Sequence, residues 1–385
     1  MSTLLTGKPE LNRFINRRLI LDKIRRDGEI SRADLAKQIA IRPPTVSAVV
    51  KELIEEGLVE EVGLGTTARG RSPRMIALAQ TKPRALGFEL SERSLLAGLC
   101  GLTGDLCTQV KVPFTPSSPQ DAIEELHEVG SRLLNLADMQ WDELQGVGVA
   151  MPGCLGGPAG DVRWSKAFGW QDIPFKKLCE DRWKLPTDVV NDSLAGGMAA
   201  QLFDTAESVN HLVFMFIRFD DVSSKEVGLG VGIIINGEPF HGQFGAAGEM
   251  RTKITHPLVH AQELLEESGH QGKVDLTKDV ASLCKAMQEG DPIALKAVSR
   301  LGDHLSQVVL SILCLIEPGV LMIDSDEPAL RDALLEQIEN FLASNELTFK
   351  PAQTRVVASS LGEFGVVRGA VVPTLQRIFR IPQWS

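Results

Sequence analysis

Arg69, Arg71 and Arg74 fall within six residues of one turn-rich stretch, 63–74, and Arg42-Pro-Pro-Thr-Val-Ser47 opens an amphipathic run. Forked guanidiniums suit phosphate oxygens and guanine edges, and short hydroxyls allow a close approach to bases. Arg42, Thr45 and Ser47 are therefore candidates for base or nearby backbone contact, and Arg69, Arg71 and Arg74 for phosphates or the minor groove. Other chemistries fail on spacing. Six cysteines carry no CxxC pair, which excludes a zinc site built on paired cysteines. His256 and His260 share one helix face, but two histidines without further ligands make a poor zinc site and are expected to be surface or capping residues. Gly228-Leu-Gly-Val-Gly232 has neither the spacing nor the context of a dinucleotide-binding turn. There is no Gly-x-Ser-x-Gly elbow and no His-Glu-x-x-His.

The elements that must hold the first set follow from periodicity. Phe14, Ile15, Leu19, Leu21 and Ile24 predict a helix over 12–26, closed by Gly28. Ser31-Arg-Ala-Asp34 supplies an N-cap with an acid at the positive helix end, and Leu35 and Ile39 give that short helix its buried face. A third helix starts at Pro43-Pro44, where first-turn amides have no partner to lose, and runs to 56. Its stripe is Val46, Val49, Val50, Leu53 and Ile54. Strands are predicted at 58–62 and 75–78, flanking the arginine loop. Helix, helix, turn, helix and a basic β-loop is the layout of a winged helix-turn-helix, with 43–56 as recognition helix. Glu52, Glu55 and Glu56 lie at its far end.

Charge supports this division. Residues 1–80 hold 14 Lys/Arg against 10 Asp/Glu, whereas residues 81–385 hold 26 against 40. A basic head on an acidic body places the polyanion contact on the head alone. The whole chain, 385 residues with 43% hydrophobic and 23% charged, has the composition of an ordinary soluble protein of two or three domains. No apolar run reaches bilayer length, and the polar N-terminus shows no export signal, so a cytoplasmic location without membrane partners is expected.

In the body, β-like runs at 85–90, 95–102 and 106–112 precede a helical pattern at 120–136 and a buried strand at 144–150. A second set at 213–219, 230–235 and 238–240 precedes long helical stretches. Two such halves imply a duplicated α/β architecture with a ligand cleft between them. Five motifs then occur in order: Gly146-Val-Gly-Val-Ala-Met-Pro-Gly153, Ala167-Phe-Gly-Trp-Gln-Asp-Ile-Pro174, Val189-Val-Asn-Asp192, Gly232-Ile-Ile-Ile-Asn-Gly237 and Gly245-Ala-Ala-Gly-Glu249. Together they resemble the ROK family of repressors, open reading frames and sugar kinases, and the head resembles that of the family's repressors.

The resemblance implies a winged helix-turn-helix followed by a two-lobe, actin-like (ribonuclease H-like) α/β body. The expected division is 1–80 for the head, 81–195 with a C-terminal helix at about 366–385 for the first lobe, and 196–365 for the second. In the family's kinases an Asp matching Asp192 deprotonates the sugar, while an Asn and a Glu matching Asn191 and Glu249 hold its hydroxyls. Carboxylates and amides supply the paired acceptors and donors that vicinal hydroxyls need. Read in isolation, Asn191-Asp192 is a turn or cap before a helix at 194–202. Lys166 stands, by spacing, where the kinases place a neutral Asn, and Thr252 stands at a His position beside Arg251.

Departures from the kinase pattern point away from catalysis. Glu89-Leu-Ser-Glu-Arg-Ser94 replaces the glycine-bearing phosphate loop, Glu226-Val-Gly228 replaces Gly-Thr-Gly, and Asp324-Ser-Asp326 replaces a Gly-Gly pair. The family's cysteine-rich zinc loop is also missing. The expectation is a kinase-dead regulator, without cofactor or metal, that binds double-stranded operator DNA. It would bind a sugar or acidic sugar effector through Lys166, Asn191, Asp192, Glu249 and Thr252, and self-associate as a homodimer or homotetramer. A working sugar kinase with a regulatory head is the alternative, and a regulator whose body only dimerises is a third.

Overall fold

The computed structural model describes residues 9–65, 72–80, 82–156, 160–204, 209–219, 225–250, 252–268, 277–344 and 354–379. In the head, helices Pro9–Asp27, Arg32–Gln38 and Pro43–Glu55 pack around Ile20, Ile24, Leu35, Val46, Val50 and Leu53, all of them buried. Ser31 caps the second helix, its Oγ accepting the Asp34 amide at 3.1 Å. Strands Val59–Leu64 and Arg74–Leu78 form an antiparallel hairpin, to which Ile30–Ser31 adds a short third strand.

The body contains two five-stranded sheets with one topology. In the first, Leu106–Pro113, Ser94–Cys100 and Ala85–Leu90 form an antiparallel meander, and Gly146–Met151 and Thr187–Asn191 continue it in parallel. In the second, Glu238–Pro239, Gly228–Ile235 and Leu212–Arg218 form the meander, continued by Val320–Ser325 and Arg355–Ala358. Numbered along the chain, each sheet reads 3-2-1-4-5, so the duplication that sequence suggests in outline holds strand for strand. Parallel strands buried on both faces explain the unbroken apolar run at Gly146–Met151 and the four apolar residues that open Val320–Ser325.

Helices Asp192–Ala199 and Gly365–Ala370 cross between the lobes at very short range. A Cβ on Gly369 would lie 1.8 Å from the Ala195 carbonyl oxygen, so only glycine permits this crossing. The approach seats Asp192, at the first turn of its helix, beneath the cleft. This helix starts two residues before the predicted 194 and continues as a π-helical turn over Ala200–Asp204. Sequence periodicity did not reveal a small antiparallel sheet of Cys154–Leu155, Val162–Ser165 and Trp170–Ile173, which projects from the first lobe. Among the described residues, no helix is long and apolar enough to cross a membrane.

Candidate functional site

The candidate reading face of the head starts at Arg42, whose extended backbone ends one turn and begins the helix Pro43–Glu55 without a side-chain cap. Its guanidinium is not consumed by the helix end. Arg42, Ser47 and Ala48 are exposed and Thr45 is half-buried, while Val46, Val49, Val50 and Leu53 anchor the opposite face. Each of these four burials stabilises by roughly 1.5–3 kcal/mol, enough to hold the reading face in a fixed orientation. Glu52 and Glu56 turn back to Arg13 and Arg17 of the first helix and so face away from the helix start. Of the three loop arginines, Arg69 and Arg71 lie outside the described residues. Arg74 is exposed but already paired with Glu61 at 2.5 Å, and Arg32 reaches the same carboxylate at 3.0 Å. An open groove of about 930 Å³ runs between the helix and the hairpin, with Arg32, Ser47, Lys51 and Glu61 on its walls.

The interlobe site has a different character. Asn191 caps the Asp192–Ala199 helix, its Oδ1 accepting the Leu194 amide at 3.1 Å, and its Nδ2 donates to the Gly153 carbonyl at 3.2 Å. Asp192 is 4% exposed. Its Oδ1 accepts the Ser193 amide at 2.7 Å and the Ser193 hydroxyl at 3.3 Å, and its Oδ2 accepts from Arg218 at 2.7 Å. Arg218 closes the strand Leu212–Arg218 of the second lobe and also reaches Glu89 of the first lobe at 3.3 Å. Its guanidinium stacks 4.5 Å from the Phe216 ring centroid. Burial pushes the Glu89 carboxyl up to about 7; Asp192 and Asp324 add to the shift and Arg218 opposes it. A half-buried cation of the second lobe thus sits against two buried carboxylates of the first.

Asn191 and Glu249 line one small cavity of about 20 Å³ with Val190, Phe240 and His241, room for no more than about one water molecule. The cleft is drawn shut by contacts between the lobes. Arg163 donates to the Phe244 carbonyl at 3.1 Å, and the Cys154 thiol approaches the Gly245 carbonyl at 3.4 Å. Lys166, on the turn between two strands of the small sheet, is exposed and has no ion pair among the described residues; it does not pair with Asp172. Neither Lys166 nor Thr252 lines the cavity, and Arg251 lies outside the described residues. The structure therefore brings together two of the five expected ligand residues and diverts a third, Asp192, into an ion pair.

His256 and His260 are both buried, not on the surface. The Nδ1 of His256 caps the helix Pro257–Ser268 by accepting the Leu258 amide at 3.2 Å. Among the described residues, no three His, Cys, Asp or Glu side chains gather as a metal site requires.

The ROK family model matches residues 86–260, and a winged helix-turn-helix DNA-binding model matches residues 13–60. Residues 86–260 are thus a ROK-family body behind a winged helix-turn-helix head. It is 21% identical to the xylose repressor of Caldicellulosiruptor bescii over 98% of this chain and all of that protein. It is 22% identical to the N-acetylglucosamine repressor of Escherichia coli O157:H7, covering 95% of each. Its fold is similar to a crystal structure of a ROK family transcriptional regulator, a homologue of the E. coli MLC protein, at a TM-score of 0.75. That likeness covers 96% of this chain and 98% of the other, at 19% identity. A ROK family glucokinase from Streptomyces griseus, in complex with glucose and AMPPNP, is similar at a TM-score of 0.63 and 18% identity. It covers 74% of this chain and 97% of that one.

Within this ROK-family body, Arg218 is the residue that sequence reasoning missed. It ends an apolar strand, and its partners lie 26 and 129 residues away. The signal that could have found it was electrostatic: Glu89, Asp192 and Asp324 were all expected at one cleft, and so many buried carboxylates require a cation.

Proposed function

We propose that this ROK-family regulator represses genes of sugar use by binding operator DNA through its winged head, and that its body takes a sugar effector without phosphorylating it. The repressor names of its relatives support the first part. A two-fold dimer reading two half-sites is the arrangement such a head favours. Arg42, Thr45 and Ser47 are assigned to bases and the adjoining backbone, and the loop arginines to phosphates.

The observation that carries the second part is the guanidinium of Arg218 at 2.7 Å from Asp192. A general base must have a lone pair within reach of the hydroxyl it deprotonates. Three of the roughly four acceptor sites of the Asp192 carboxylate are taken within the protein, and the side chains of Glu89 and Asp324 stand where the resembled kinases keep glycine. Phosphoryl transfer needs the opposite arrangement, with cations and backbone amides open to the phosphates. Asn191 and Glu249 remain as hydroxyl partners once the lobes part, and the effector enters by displacing the contacts of Arg163 and Cys154 across the cleft. Lys166 adds a preference for an acidic sugar only if its turn folds inward on binding.

The reading is tested in two assays. Purified protein with ATP and a panel of hexoses, pentoses and N-acetylhexosamines is expected to release no ADP; sugar-dependent release abolished by Asp192→Asn would establish the kinase alternative. In calorimetry a sugar or sugar acid should bind, and Asn191→Ala should remove that binding. Operator binding by residues 81–385 equal to that of the full chain would refute the role of the head.

A further inference from the structure

Head and body meet at a crevice of about 500 Å³, lined by Arg17, Arg18, Arg84 and Arg377, together with Glu56 and the ring of Phe14. The four guanidiniums come from three parts of the chain: the first head helix, the start of the body and the C-terminal helix Val372–Phe379. Two have carboxylate partners. Arg17 pairs with Glu56, and Arg377 with Asp188 at 2.5 Å. Arg18 and Arg84 have none within 4.0 Å among the described residues. Arg18 donates to the Arg377 carbonyl, and Arg84 Nη2 donates to the carbonyls of Gly57 at 2.6 Å and Glu56 at 3.2 Å. The Nε of Arg84 is buried and finds no acceptor among the described residues.

Four guanidiniums therefore face two carboxylates in a crevice of a body that is otherwise strongly acidic. Burying a donor without an acceptor is costly, and so is gathering like charges. In keeping with this, burial and the neighbouring Arg17 push the Arg18 guanidinium below its ordinary value. The crevice lies beside the C-terminal end of the recognition helix, one helix length from Arg42, so operator phosphates at the reading face are not its occupant.

We infer that this crevice is a binding site for a phosphate-bearing metabolite, held by Arg18 and Arg84 with Arg17 and Arg377 beside them. Guanidiniums bind phosphate oxygens through paired, directional N–H bonds, and Arg18 and Arg84 present donors not taken by carboxylates. The volume falls in the range of small-molecule sites, and Phe14, Leu58 and Ile378 offer an apolar wall to the rest of the molecule. A ligand here touches the head and the body at once. Its binding braces the first head helix against the start of the body and the C-terminal helix.

The full chain is titrated calorimetrically, without DNA, with inorganic phosphate, a hexose 6-phosphate and the unphosphorylated hexose, at matched ionic strength. Both phosphate probes should bind, the ester more tightly if the apolar wall contributes. Arg18→Gln and Arg84→Gln should each weaken this binding by about tenfold to a hundredfold, and Arg18→Lys by less. Inorganic phosphate, which has no sugar hydroxyls, should bind equally well when the sugar cleft is saturated with the hexose, which separates this crevice from the proposed sugar cleft. Melting curves without phosphate confirm that the variants fold, and amide exchange in the helix Pro9–Asp27 should slow when phosphate is added to the wild type only. Absence of phosphate binding at millimolar concentration, or binding that survives both glutamine variants, would overturn the inference.

Discussion

Glu89 shows how one buried carboxyl couples the two lobes to pH. It is 5% exposed, and burial raises its carboxyl from the ordinary 4.5 to about 7. Between those values the folded chain keeps a proton that the unfolded chain has released. Stability from this group is therefore present at the acid end and lost as pH rises through about 7. A shift of this size corresponds to about 3 kcal/mol, spread over that window. Arg218, Asp192 and Asp324 are the charged groups that face Glu89. Urea midpoints measured from pH 5 to pH 8 should fall for the wild type and stay nearly level for Glu89→Gln; an unaltered slope in that variant would exclude Glu89 as the source. Sequence reading placed Glu89, Asp192 and Asp324 at one cleft through the resemblance of their local motifs to those of the family's kinases. It could not place Arg218, whose role exists only once two lobes are folded against each other. Lys166 was located by spacing from a motif, and spacing fixes position along the chain but not which way a turn faces.

At the scale of elements, those with strong periodicity or chemical punctuation were legible and short ones were not. The Ser31 cap and the Pro43-Pro44 start define two head helices to within a residue, and Ala85–Leu90 coincides with its predicted strand. The strands Cys154–Leu155, Val162–Ser165 and Trp170–Ile173 are two to four residues long, too short for alternation to register, yet they carry Cys154 and Arg163 to the cleft mouth. Replacing Ser31 by Ala should cost about 1 kcal/mol of stability by freeing the Asp34 amide, a loss that thermal melts would register. In the wing, Glu61 holds both Arg32 and Arg74 and so competes with DNA phosphates for them. Arg74→Ala should consequently lower the slope of log affinity against log salt by less than the ~0.9 per contact of a free arginine. Glu61→Gln should strengthen binding to every DNA sequence. Arg42→Ala, by contrast, should weaken operator over random DNA by about 1–3 kcal/mol. Filter binding across a salt series distinguishes the three, and a full-unit loss for Arg74→Ala would show that Glu61 releases it on DNA.

For the whole molecule, the important feature is that head and body share one core. Ile20, Leu21 and Ile24 of the first head helix are buried in a single cluster with Ala85, Cys100 and Leu102 of the body and with Val371, Leu375 and Phe379 of the C-terminal segment. Arg25 stacks on the Phe379 ring at 5.6 Å, and Arg18 bonds the Arg377 carbonyl, so the last helix is clamped by the head. A head packed in this way is placed to move with the body, whereas a flexible linker would absorb any change. The same packing predicts cooperative unfolding. Leu375 is fully buried, and cutting it to Ala leaves a cavity shared by head and body, at a cost of about 2–5 kcal/mol. The chain has no tyrosine, and all its tryptophans lie beyond residue 140, so intrinsic fluorescence follows the body alone. Amide exchange at Ile20, Leu35 and Val50 follows the head. In the wild type both should give the same unfolding free energy, and in Leu375→Ala both should fall together. Head amides that keep their protection while the fluorescence midpoint drops would show two independent units, and the route from effector to operator would then have to run through the linker near Pro83.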